Sequence, residues 1–287
     1  MRRFFTILTA LCLVLPYAAP AQTPALQHIL RTSKRCQGFS TNGVIFDLNP
    51  ANLSTLFQSI LGITAVTADG DPVGTAQNAI GGGFDLTAVA DTAVRPTYNT
   101  SGGKHWLNFA SGENDVLQRA AALGLYGGAG GATTIVLAVR SVATTQTSLV
   151  GEGSSTTSTP HYSVARVNST DFNDLQANYT VDAGTSPLTN VILFDEAFPA
   201  NTDTVVVITD TGSSILGYYD GVPNPGGPTS YTRGTTTLDR FSIGARVRLT
   251  TDGYFVGDIY RVRLYNRAMS AAEVANETAC AKLTQRR

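Results

Sequence analysis

The stretch Thr204-Val-Val-Val-Ile-Thr-Asp-Thr-Gly-Ser-Ser-Ile-Leu-Gly-Tyr-Tyr-Asp-Gly221 decides the fold. Thr204 to Thr209 is dominated by β-branched residues and shows no helical period, so it reads as a buried strand. Ser214 to Tyr219 reads as a second strand. It runs into Asp220-Gly221, a pair that readily takes the positive φ angles a tight hairpin turn requires. Tyr218 and Tyr219, being adjacent on a strand, point to opposite faces.

The residues on either side extend the pattern. Phe241, Ile243, Ala245, Val247 and Leu249 alternate with Ser242, Gly244, Arg246 and Arg248, which reads as one long half-buried strand. Asp252-Gly253 repeats the hairpin device, and Ile259 to Tyr265 closes the strand series. Upstream, Thr133 to Val142 is nearly unbroken apolar sequence rich in β-branched residues, hence a buried central strand. Ser148 to Glu152 and Tyr162 to Val167 are shorter strands, and His105 to Phe109 should turn Leu107 and Phe109 inward. Asn52 to Leu61 reads as one or two helical turns. One helix is convincing: Ser270 and Glu273 form a capping box, with Met269 and Val274 at the staple positions. Strands at short spacing separated by turns, with no repeat and no second-domain linker, argue an all-β, two-sheet antiparallel sandwich with a short C-terminal helix.

The bulk numbers agree. The 287 residues carry 20 Lys+Arg and 21 Asp+Glu, and charged residues make up 14%, against about 25% in an average domain. Met1-Arg2-Arg3, the apolar run Phe4 to Leu15, and Ala19 and Ala21 read as a secretory signal cleaved after Ala21. Loss of Arg2 and Arg3 leaves 18 basic against 21 acidic groups, which is no nucleic-acid signature. The expected organisation is a signal at 1–21, a lead-in arm at 22–45 and one domain at 46–287, secreted and without a transmembrane span in the mature chain.

Gly257 to Val274 resembles the closing strand and helix of laminin-G-like, concanavalin A-like jelly-roll domains. Thr204 to Gly221 is similar to their paired central strands, and Phe241-Ser-Ile-Gly244 to the strand that follows. Leu53 to Phe57, Val66 to Gly74, and Arg95-Pro-Thr97 through Phe109 resemble the variant found in bacterial and phage surface proteins. The resemblance spans about Phe46 to Leu283. It implies two antiparallel sheets packed face to face, and partners that are glycans, proteins or anionic surfaces, in some members with calcium.

The chemistry of the residues narrows this. Glycoside hydrolysis needs two carboxylates at a fixed separation. The chain has Glu only at 113, 152, 196, 273 and 277, none in a paired strand pattern. There is no Gly-x-Ser-x-Gly elbow and no HExxH or paired CxxC. The chain is therefore expected to be a non-enzymatic, lectin-like binding module for a glycan or cell-surface polymer, anionic ones included. A structural or adhesion protein without a sugar site is the alternative, and a divergent hydrolase the third reading. Candidate sugar contacts are Trp106, Tyr126, Tyr218 and Tyr219, whose rings could stack on a pyranose, together with Arg246 and Arg248. If their strand pairs with the one carrying Arg261 and Arg263, the four arginines form a patch. No cofactor is expected. Asp69, Asp71, Asn114 and Asp115 are the oxygen ligands calcium would find, set against ordinary turn chemistry for the same residues.

Cys36 and Cys280 are the cysteines that survive signal removal. In an oxidising compartment two lone thiols pair, and the resemblance implies terminal strands lying side by side. A Cys36–Cys280 disulfide is expected. The alternative is a buried Cys280 and a free Cys36.

Overall fold

A computed structural model describes residues 36–92, 94–125, 131–142, 147–158, 161–166, 174–180, 189–197, 200–231 and 238–286. Between 161 and 197 it gives the backbone and the side chains of Tyr162 and Val164. The proposed signal, Tyr126 and most of the glycine-rich loop around it lie outside the described residues.

The strands in chain order are β1 (Val44–Leu48), β2 (Leu56–Phe57), β3 (Thr75–Ala76), β4 (Leu86–Thr87), β5 (Thr97–Ser101), β6 (Lys104–Phe109), β7 (Leu117–Arg119), β8 (Thr133–Ser141), β9 (Thr147–Gly153) and β10 (His161–Arg166). They continue with β11 (Asp174–Thr180), β12 (Thr189–Ala197), β13 (Thr204–Asp210), β14 (Ser214–Tyr219), β15 (Val222–Pro223), β16 (Thr229–Ser230), β17 (Arg240–Ile243), β18 (Arg246–Val247), β19 (Thr251–Asp252) and β20 (Gly257–Tyr265). Helix α1 (Ala271–Thr284) follows. The first sheet runs β15-β14-β13-β8-β20-β6-β5, with β1 also on β20 and β16 on β14. The second runs β12-β11-β10-β9-β17-β7-β4-β3-β2. All pairings within the two sheets are antiparallel.

The core lies between the sheets. Leu107, Phe109, Ile135, Leu137, Val206 and Val262 of the first meet Leu117, Val150, Val164, Phe241 and Ile243 of the second. Phe46 and Phe241 face each other across the gap with ring centroids 5.8 Å apart. The central strands are apolar on both faces because the first sheet is covered twice. Val136, Ala138, Val205 and Val207 form a separate cluster with Val274 and Ala281 of the helix. Such two-sided burial turns an alternating pattern into a continuous one. Ser270 accepts from the Glu273 N–H and the Glu273 carboxylate takes the Ser270 N–H, so the capping box is formed.

Asp220-Gly221 makes the expected two-residue turn. Tyr219 pairs with Val222, and the φ angles are 52° and 83°. Two local expectations are corrected. The long alternating strand stops at Ile243: Gly244 has φ 87°, and a Cβ there would run into the Phe109 ring. The chain turns, and Ala245 and Val247 join a small cluster with Val116 in a β18–β19 hairpin. Asp252-Gly253 is consequently no hairpin turn; the β18–β19 turn falls at 248–250. Within the 52–61 stretch the lower of the two expected turn counts holds: Leu53–Thr55 is one turn, of 3-10 type, and gives way to β2. Strands β11 and β12 had no counterpart in the sequence reading.

Candidate functional site

Strand β20 changes partners halfway along the first sheet. Its ladder to β6 ends at Ile259–Leu107, and its ladder to β1 ends at Val262–Leu48. A register irregularity falls between Ile259 and Arg261. Tyr260 and Arg261 therefore sit opposite the gap where β1 has left and β6 has not yet joined. A cavity of about 300 Å³ opens there, at the lower end of the range for small-ligand sites. Asn49, Ala51, Gly103 and His105 line it from the strand ends. Phe39 and the Cys36–Cys280 pair line it from the N-terminal arm and the helix, with Leu283 and Thr284 beside them. Cys36 and Cys280 are disulfide-bonded, with Cα atoms 4.6 Å apart, as the sequence led us to expect.

Beside the crevice, on the outer face of the first sheet, lies a platform. Trp106 of β6 is partly exposed and packs on Tyr260, ring centroids 6.0 Å apart. Lys104 and Asn108 share its side of the strand, two residues away in each direction. Each is held by a carboxylate. Lys104 Nζ lies 3.3 Å from Asp203, which also accepts from the Tyr260 hydroxyl at 2.9 Å. Asn108 Nδ2 donates to Asp258 at 2.8 Å, and Arg140 pairs with the other Asp258 oxygen at 2.9 Å. The register aligns Thr97, Asn108, Asp258 and Arg140 in one row across β5, β6, β20 and β8. Burial pushes the Tyr260 hydroxyl above the usual tyrosine range, and its bond to Asp203 adds to this. Burial also raises Asp258, against the pull of Asn108 and Arg140. These groups are fixed in place before any ligand arrives, which lowers the ordering cost of binding.

Deeper under the arm, Arg261 forks onto Asp47 at 2.7 and 2.6 Å. Arg263 approaches Asp47 at 3.2 Å and Glu277 at 3.4 Å. The Phe39 ring caps both guanidinium groups at 4.7 and 4.6 Å.

The other sequence candidates are dispersed. Tyr218 is 6% exposed, packed in the apolar cluster between sheet and helix. Tyr219 packs from the opposite face against the central core, its hydroxyl 3.3 Å from Thr204 Oγ1. Arg246 and Arg248 both bind Asp252 within their own hairpin, at 2.7–2.9 Å. β18 pairs with β19 rather than with β20, so no four-arginine patch forms. Asp71 accepts from the Thr67 and Ala68 N–H groups and Asp69 from the Thr100 N–H and Asn99, pinning the 67–74 turn over the edge of β5. Asp115 accepts from the Ala110 N–H, and Asn114 takes a turn conformation with φ 58°. Among the described residues no three His, Cys, Asp or Glu side chains converge as a metal site. Sequence reasoning missed Lys104 and Asn108, which flank Trp106 on its own strand, and also Arg140, Asp203, Asp258 and Tyr260. Only long-range pairing brings the last four to Trp106.

A family model described as the concanavalin A-like lectin/glucanases superfamily matches residues 120–275, more than half of the chain. A search of curated proteins gives no match. Among solved structures, Trypanosoma rangeli sialidase in complex with sialic acid is similar at 14% identity and a TM-score of 0.53, over 91% of this chain and 38% of that one. The NanB sialidase of Streptococcus pneumoniae, as its K499G mutant, is similar at 17% identity and a TM-score of 0.46, over 61% of this chain and 27% of that one. The CBM40 of the Ruminococcus gnavus IT-sialidase is similar at 17% identity and a TM-score of 0.43, over 52% of this chain and 83% of that one. The chain thus spans well under half the length of the two sialidases.

Proposed function

Because this chain belongs to the concanavalin A-like lectin/glucanases superfamily, we propose that it is an exported, non-catalytic module that binds carbohydrate on the outer face of its first sheet. The observation that carries the reading is the Trp106 platform. A sugar ring offers an apolar face of C–H groups and a rim of hydroxyls. Trp106 supplies the flat apolar partner. Lys104 and Asp203 on one side and Asn108, Asp258 and Arg140 on the other supply donors and acceptors at the rim. The adjoining crevice, walled by Phe39, His105 and Tyr260, extends the same surface. No metal is required by this arrangement.

The reading as a binder rather than a hydrolase rests on the state of the carboxylates. Asp203 and Asp258 are each engaged by a cation and by a neutral donor, which supports a role as fixed hydrogen-bonding groups. Export is supported by the Cys36–Cys280 bond, a linkage that persists in oxidising compartments. Among the described residues no helix is long and apolar enough to cross a membrane. The test is a glycan array probed with the purified protein and with Trp106→Ala. Binding by the first and loss in the second is the expected result. Release of reducing ends from a bound glycan would refute the non-catalytic part.

One observation favours the second reading, a surface-assembly protein without a sugar site. Leu61 and Ile63 are 74% and 76% exposed, in a segment tied to Asp91 and Arg95. Large exposed apolar side chains close in sequence are of the kind found at contact surfaces.

A further inference from the structure

We infer that the glycan taken at this face is uncharged; the inference rests on the carbohydrate reading above. The observation is the charge pairing around the platform and crevice. Four cations among the described residues, Lys104, Arg140, Arg261 and Arg263, are each held there by a carboxylate of the chain: Asp203, Asp258, Asp47 and Glu277 respectively. The charges cancel one for one.

Such pairs suit hydroxyls. A sugar hydroxyl donates once and accepts twice. A paired ion offers both kinds of partner: a lysine ammonium keeps two of its three N–H donors, and a carboxylate keeps unused lone pairs. A carboxylated or sulfated sugar can use the spare donors but not the carboxylate lone pairs. Its anionic group only accepts, and beside Trp106 it would face Asp203 and Asp258 from both flanks. To claim Arg261 it would have to displace Asp47, whose carboxylate is buried beneath the arm. That would strand a buried charge without its partner, the costly half of any buried ion pair.

The test compares neutral glycans with their carboxylated and sulfated analogues on the same core, at low and high salt. The purified protein should bind neutral members with little salt dependence and acidic analogues at least about tenfold more weakly, the scale of one lost charge-assisted contact. Asp203→Asn, a substitution at a partly exposed side chain, frees Lys104. It should strengthen binding of the acidic analogues, and the gain should fade as salt rises. Acidic glycans bound by the wild type as tightly as neutral ones, with affinity falling in salt, would overturn the inference while leaving carbohydrate binding intact. No gain from Asp203→Asn in a folded variant would overturn the pairing argument. Failure of both glycan classes to bind would instead take down the carbohydrate reading, and this inference with it.

Discussion

Trp106 and Tyr260 lie on neighbouring strands of the first sheet with ring centroids 6.0 Å apart and planes tilted by 48°. Tyr260 is anchored through its hydroxyl to Asp203 and is 3% exposed, so it fixes the tryptophan from below. The exposed part of the Trp106 ring is thereby presented in one orientation, flanked by groups that are themselves fixed. A preorganised aromatic surface of this kind is the physical basis of the binding proposal.

The Cys36–Cys280 bond ties the arm to the helix across 244 residues. In the chain-entropy view a loop of that length contributes at the upper end of the usual range, about 5 kcal/mol before strain. Thiol titration of the denatured, unreduced protein should find both cysteines consumed. Reduction should lower the unfolding free energy obtained from chemical denaturation by several kcal/mol. It should leave the fold assembled, because Ser40 and Asn42 keep their hydrogen bonds to Glu277, Arg263 and Arg267.

Asp115 is 1% exposed, and one of its oxygens has no hydrogen-bond partner among the described residues. Burial pushes its carboxyl up to about 6 from 3.8. The native state therefore holds a proton that the unfolded chain releases near pH 4. This group's contribution to stability is fully present below that pH and is lost as the pH rises from about 4 through 6, by up to about 3 kcal/mol. Asp115→Asn keeps an acceptor for the Ala110 N–H and removes the ionisation. Urea titrations between pH 4 and 7 should show the slope flattened and stability at pH 7 raised. An unchanged slope would remove Asp115 as its source.

Gly244→Ala tests the break between β17 and the β18–β19 hairpin. The position needs a left-handed φ and has no room beside Phe109, so the substitution should cost roughly 2–4 kcal/mol. Ser270→Ala removes one half of the capping box and should cost about 1 kcal/mol. Denaturation midpoints separate the two magnitudes.

What the sequence disclosed was local. The β13–β14 hairpin, the buried run of β8 and the capping box each depend on residues within a few positions of one another, and each is present. The Gly244 break was hidden because Ala245 and Val247 go on alternating; they do so for a different, smaller cluster. The site divides the same way. Trp106 stood out by residue type, yet what makes it a platform comes from far along the chain. Asp203 lies 99 positions from the Lys104 it holds, and Asp258 lies 150 from Asn108. The irregularity in β20 that opens the crevice depends on which strand pairs where, and no local pattern encodes it. Tyr218 and Tyr219 were equally conspicuous by type. Tyr218 is buried under the helix, and Tyr219 packs, partly buried, against the core on the opposite face.

Carbohydrate binding at the platform is tested most directly by calorimetric titration of the purified protein and its Trp106→Ala variant with a neutral oligosaccharide bound on the array. Circular dichroism and the denaturation midpoint confirm that the variant is folded. A stacking partner is worth one to a few kcal/mol, so affinity should fall by at least about tenfold. A folded Trp106→Ala variant that binds the oligosaccharide as tightly as the wild type would contradict the placement of the site.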